Sequence, residues 1–199
     1  MRRLSFVFAL ALSAALTPPV FAEPREPRPG TKAETERVRK PVTLDDLFGR
    51  LAAAKDEAEA SGIANLIERR WARSGSDTAD LLMDRAGEAL KAKDHALAIE
   101  LLDRVLVLRP EWAEAWNRRA TAFFLIDDVA SAMADLRQVV AREPRHFGAW
   151  AGLGHIYMSS GDKKSALAAY RKAQAIHPHL PKLGELIERL ALEIDGQDI

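Results

Sequence analysis

Few residues in this chain have types and spacings that could do chemistry, and each has a structural reason to stand where it does. Ser160-Gly161-Asp162-Lys163 carries the S-x-x-K spacing in which a lysine activates a serine for acyl transfer. The other motifs of such an enzyme are missing, and a Gly-Asp pair is what a turn between two helices needs. Gly152-Leu153-Gly154 has no preceding strand and no third glycine, so it reads as close helix packing and not as a phosphate loop. His177-Pro178-His179 could bring two imidazoles to a metal, but no histidine or carboxylate follows at ligand spacing; turn residues are expected, and no metal. The carboxylate pairs Asp45-Asp46, Asp127-Asp128 and Asp195 with Asp198 fall at helix starts, at turns or in the tail, where capping and the helix dipole account for them. No catalytic residue and no cofactor is assigned, and the expected protein is not an enzyme.

Composition narrows the field further. The 199 residues hold 29 basic and 29 acidic side chains and no cysteine. Disulfides, thiol nucleophiles, thiolate metal sites and cysteine lipidation are thereby excluded. A nucleic-acid footprint needs a dominant basic patch, which this balance does not provide, so no nucleic-acid partner is expected.

The elements that would position any site repeat with a step of 34 residues. Pro110, Pro144 and Pro178 keep it, as do Trp116 with Trp150, and Ala98, Ala132 and Ala166. A fixed period of this size means stacked units, none of which buries its apolar face alone. The windows are 79–112, 113–146 and 147–180. The third is fullest, with Trp150, Leu153, Gly154 and Tyr157, then Gly161-Asp162, then Ala166, Tyr170 and Ala173, closed by Pro178. The second keeps Trp116, Ala120, Phe123, Ala132 and Pro144 but has Arg119 in the leucine slot and Asp127 in the glycine slot. The first keeps Ala86, Ala98, Leu102 and Pro110, with Leu82 for the tryptophan and Ala89 for the tyrosine. Small residues let two helices approach, aromatics fill the wedge between pairs, and each proline ends one unit.

This pattern resembles the tetratricopeptide repeat, a helix-turn-helix unit with the signature W-x2-L-G-x2-Y, then A-x3-F, then P. The resemblance covers residues 79–180 and implies an all-α fold, a right-handed solenoid of three clear repeats. It also implies a non-enzymatic protein-protein interaction scaffold whose partner, a peptide or protein, lies along the concave wall made by the first helix of each pair. Carried over slot by slot, that wall holds Met83 and Leu90, then Glu114, Asn117, Thr121 and Phe124, then Ala151, His155 and Met158. The carboxylate clamp of chaperone-tail-binding relatives is not expected, since Met83, Gly87, Gly148 and Gly152 occupy four of its five slots and Arg118 the other.

The flanks divide readily. Residues 1–22 begin with Arg2-Arg3, run apolar from Leu4 to Leu16 and end with small residues at Val20 and Ala22, the pattern of a cleavable secretory signal. The apolar run is short for a bilayer span, so no stable membrane insertion is expected after cleavage. Removing it leaves a formal charge of about −2. Residues 23–41, rich in proline and charge, read as a disordered linker. Residues 42–78 read as a degenerate helical repeat whose first helix, opened at Thr43-Leu44-Asp45-Asp46, runs to Gly62, with a second segment over 63–73. Over 181–199, Leu183, Leu186, Ile187, Leu190 and Ile194 recur at helical spacing as a capping helix and tail. The expected protein is an exported adaptor in the periplasm, with envelope assembly as one role. A homo-oligomeric envelope protein and an accessory subunit of an envelope enzyme stand as alternatives.

Overall fold

The computed structural model describes residues 41–196, in which every regular element is a helix. In chain order these are α1 (Leu44–Ala52), α2 (Glu57–Trp71), α3 (Asp77–Lys91), α4 (His95–Leu108), α5 (Ala113–Leu125), α6 (Val129–Arg142), α7 (Phe147–Ser159), α8 (Lys163–Ile176) and α9 (Leu183–Asp195). The expected signal 1–22, the linker up to Lys40 and the last three residues of the tail lie outside the described residues.

The pairs α3–α4, α5–α6 and α7–α8 fall on the three windows, and the turn inside each pair is built the same way three times. Lys93, Asp127 and Gly161 occupy one slot and all take the left-handed backbone, with φ of 62°, 64° and 81°. Only glycine does so without steric cost; a side chain there gives up on the order of 1 kcal/mol. The next residue is always an N-cap aspartate: Asp94, Asp128 and Asp162 accept from the backbone N–H three residues on, at 3.0–3.1 Å.

The turn between repeats explains why tryptophan and proline share a period. The indole Nε1 of Trp116 donates to the carbonyl of Pro110, and that of Trp150 to Pro144, each at 2.8 Å. Each bond fixes the angle at which one repeat enters the next. Inside the third pair, a Cβ on Gly154 would lie 2.4 Å from the buried ring of Tyr170, so only glycine fits. In the second pair Arg119 replaces the leucine and Asp135 stands where the third repeat has Ala169. The guanidinium binds both Asp135 oxygens at 2.7 and 2.8 Å and Asp103 at 2.6 Å. The two departures from the apolar pattern are therefore one ion pair, roofed by the Trp116 ring at 4.9 Å.

The array has defined ends. Each first helix packs on the preceding pair through its third, seventh and tenth repeat slots: Ala149, Leu153 and Ile156 on α7, and Leu183, Ile187 and Leu190 on α9, all buried. On α3 the same slots hold Leu81, Arg85 and Glu88, all exposed. Two charges make that face unfit for stacking, so the array stops there. At the other end α9 closes the stack as the capping helix, its outward side carrying Glu185, Glu188 and Arg189.

Residues 42–78 form a helix pair, but with different bounds and a different neighbour from those its position in the chain suggests. The first helix ends at Ala52 and not at Gly62, because Asp56 caps α2 by accepting from the Glu59 N–H at 2.8 Å; Gly62 lies inside α2. The apolar faces of α1 and α2 join Phe147, Ile176 and Leu180 in one core, and no α3 residue belongs to it. The pair runs as a strap along the row of inter-repeat turns. Trp112, His146 and Leu180 fill the last slot of successive repeats, and each meets the strap. The Trp112 indole donates to the Trp71 carbonyl at 2.6 Å, His146 stacks on Trp71, and Leu180 packs in the shared core. Arg145 reaches Asp45 at 2.6 Å, and His179 sits 2.9 Å from the Ala54 carbonyl.

Candidate functional site

The first helices α5 and α7 form the concave wall, and between them opens a chamber of about 460 Å³. Asn117, Thr121 and Phe124 line it from α5, Gly148, Gly152 and His155 from α7, and Ala132 with Leu136 close it below. Its width comes from the two glycines. They occupy the slots that hold Glu114 and Arg118 one repeat earlier, so α7 has no side chain where α5 has charged ones. The lining is almost wholly apolar, with Asn117, Thr121 and His155 as its polar groups. Such a site excludes water from an apolar side chain and offers a few directed hydrogen bonds.

The polar groups are partly committed. Thr121 Oγ1 donates to the Asn117 carbonyl at 3.0 Å, and Asn117 Nδ2 to Glu114 at 3.1 Å. His155 Nδ1 lies 2.8 Å from the Tyr170 hydroxyl, whose pKa is raised by burial. The hydroxyl therefore keeps its proton, and the contact ties the His155 ring to the core of the third repeat. Phe124, 49% exposed, is the largest apolar surface on the wall.

Four of the nine wall residues named from sequence thus meet in one chamber: Asn117, Thr121, Phe124 and His155. Met83 does not belong there. It is 2% exposed, held between α3 and α4 by Ala79, Leu102 and Val105, because its slot turns inward in a repeat that lacks the tryptophan. Leu90 is half-buried, outside the chamber. Met158, with Ala151, packs against the cluster that α9 closes.

At Asn117 and Gly148 the chamber meets a second, more polar cavity of about 340 Å³, an annex walled by Asn65, Glu68, Arg69 and Trp71 of the strap and by Glu114, Arg118 and His146 of the array. His146 Nδ1 accepts from the Ala149 N–H at 3.0 Å, capping α7. Its ring proton is then on Nε2, 3.4 Å from Glu114. Burial raises the Glu114 pKa, but the His146 hydrogen bond and the Arg118 guanidinium bring it below its ordinary value. Glu68 lies above its ordinary value through burial and the Glu114 charge. None of the strap residues was legible as part of a wall, since slot-by-slot transfer places them in an extra repeat. The available signal was Trp112, His146 and Leu180, three large residues in one turn slot.

The remaining chemical candidates resolve into structure. Ser160 Oγ donates to the Tyr157 carbonyl at 2.9 Å, while Lys163 pairs with Glu193 of α9 at 3.2 Å, so the two face different partners. His177 is buried edge-on to Phe147. Among the described residues no three histidine, cysteine or carboxylate side chains converge as metal ligands, and no helix is long and apolar enough to cross a membrane.

Helix pairs stacked at a 34-residue step, with the first helices forming a concave wall, define a helical-repeat scaffold. The chain belongs to the tetratricopeptide repeat family, whose pattern matches residues 83–136 and 126–181. A TPR repeat-containing protein of Rhizobium etli is 36% identical over 194 residues, 94% of this chain and 95% of its own length. Among solved structures, the first repeat domain of Spaghetti (RPAP3), bound to the HSP90 peptide SRMEEVD, superposes with a TM-score of 0.57 at 18% identity, over 60% of this chain and 95% of that one. MamA superposes at 0.55 with 25% identity, over 70% and 81%. Members of this family mediate protein-protein interactions.

Proposed function

We propose that this protein is a non-enzymatic adaptor that holds a peptide segment of a partner protein in the chamber between α5 and α7. The observation that carries this reading is the chamber itself: an apolar hollow opened by Gly148 and Gly152, with Asn117 and Thr121 on its wall. It is walled for an apolar side chain and not for the acidic peptide seen on RPAP3. The clamp slots hold Met83, Gly87, Gly148, Gly152 and Arg118, and of these only Arg118 is basic, already paired with Glu114 at 3.0 Å. The charged outer face of α3 speaks against open-ended self-assembly through that end.

The proposal extends to location. Arg2-Arg3, the apolar run to Leu16 and the small residues at Val20 and Ala22 support export to the periplasm with cleavage after Ala22, and a role in envelope assembly fits an adaptor there. Mass spectrometry of the native protein beginning at Glu23 supports export; an intact Met1 overturns it. For the groove, the tagged chain is used to capture partners from a cell extract beside Thr121→Trp, which fills the chamber from an exposed position. The partner is lost from the variant while its melting temperature holds. Equal capture by both chains overturns the reading.

A further inference from the structure

The chamber continues past the repeats into the annex, and there one wall is the strap. Resting on the groove reading above, we infer that the strap takes part in recognition: Glu68 is the counter-ion for a lysine or arginine side chain on the bound segment, next to an apolar side chain in the chamber.

The charges of the annex are not equally available. Glu114 already receives Arg118 Nε at 3.0 Å and Asn117 Nδ2 at 3.1 Å, with His146 Nε2 at 3.4 Å. Glu68 has no such partner, and neither arginine of the annex is among the groups acting on it. Partial burial and the Glu114 charge disfavour its ionised form, with His146 opposing them, so a cation entering beside it offsets the Glu114 repulsion. An anion there would meet two carboxylates, with Arg118 engaged by one of them and Arg69 alone left to receive it.

The spacing along α5 sets the ligand motif. Thr121 marks the chamber and Glu114 the annex, seven residues or roughly 10 Å apart on the helix axis. About three residues of extended chain span that distance. The bound segment therefore carries an apolar or aromatic residue and, about three positions away, lysine or arginine. A half-solvated ion pair of this kind changes affinity by roughly twofold to fivefold, enough to choose among apolar peptides without dominating their binding.

The test uses random twelve-residue peptides displayed on phage, selected on the full chain and on Glu68→Arg. Wild type enriches an apolar residue with a basic one about three positions off, and Glu68→Arg keeps the apolar residue while losing the basic one. An enriched peptide, labelled for fluorescence anisotropy, binds Glu68→Gln roughly twofold to fivefold more weakly at low salt, and the difference shrinks at high salt. Glu68 is exposed, so an unchanged melting temperature confirms that the fold is kept. Enrichment without basic bias, or with acidic bias through Arg69, overturns the inference and leaves the groove reading standing. No enrichment at all overturns both.

Discussion

The indole of Trp71 lies flat on the imidazole of His146, with centroids 4.3 Å apart and planes 9° from parallel. That ring also caps α7 through Nδ1 and faces Glu114 through Nε2. One contact thus joins the strap, the start of α7 and the wall of the annex.

Trp71→Ala removes the stack and the apolar surface that Phe48 and Phe147 share with it. Burial here is partial, so the expected loss is about 2–3 kcal/mol, below the range for a fully buried tryptophan. Hydrogen exchange should show amides of α1 and α2 losing protection before those of α5 to α8. Uniform loss across all helices would mean that the strap and the array unfold as one.

Arg119 and Asp135 form a second coupled pair. Arg119→Leu alone leaves Asp135 buried with its partner gone, and Asp135→Ala alone strands the guanidinium; each should cost about 3 kcal/mol. The double variant recreates the leucine and alanine of the third repeat and should fall within about 1 kcal/mol of wild type. Additive losses in urea unfolding would show that the two side chains act separately.

Gly154→Ala places a methyl group against Tyr170, which has no room to move, and should lose about 1–3 kcal/mol in thermal unfolding. Gly152→Ala meets only the two Leu136 methyls, at 3.1 and 3.6 Å, which can give, and should stay near wild-type stability. Equal effects would remove the distinction between a core glycine and a groove glycine.

The sequence read best where a residue answers to its own neighbours. Trp150 and Pro144 are joined by a short-range bond that Trp116 and Pro110 repeat 34 residues earlier, so period revealed them, and Gly154 stood out as the glycine of the repeat signature. Arg119 and Asp127 looked like decay but are a paired substitution and a left-handed turn, both invisible without their partners. The strap was misplaced because slot transfer assumes that a helix pair packs on its successor in the chain. The exposed charges at Arg85 and Glu88 that forbid such stacking acquire meaning only once the face they occupy is known.

Acidity should loosen the strap through His177. It is 2% exposed, and burial, helped by nearby His179 and opposed by a backbone hydrogen bond and by Glu57, lowers its pKa from the ordinary value near 6.5. The unfolded chain therefore binds a proton that the folded chain refuses, and stability rises with pH in this window. The contribution is complete above about pH 6.5 and is lost as pH falls from there towards the folded-state value. Melting temperatures between about pH 5 and 7 should slope less in His177→Leu than in wild type. An identical slope would assign the acid sensitivity to other groups.

The chain has no cysteine, so a single one can report what touches the groove. Thr121→Cys carrying a benzophenone probe should crosslink the captured partner on illumination, while the same probe on Val107→Cys, 84% exposed and outside the chamber, should not. Crosslinking from position 107 with none from position 121 would contradict the account that the wall of α5 and α7 is where this protein holds its partner.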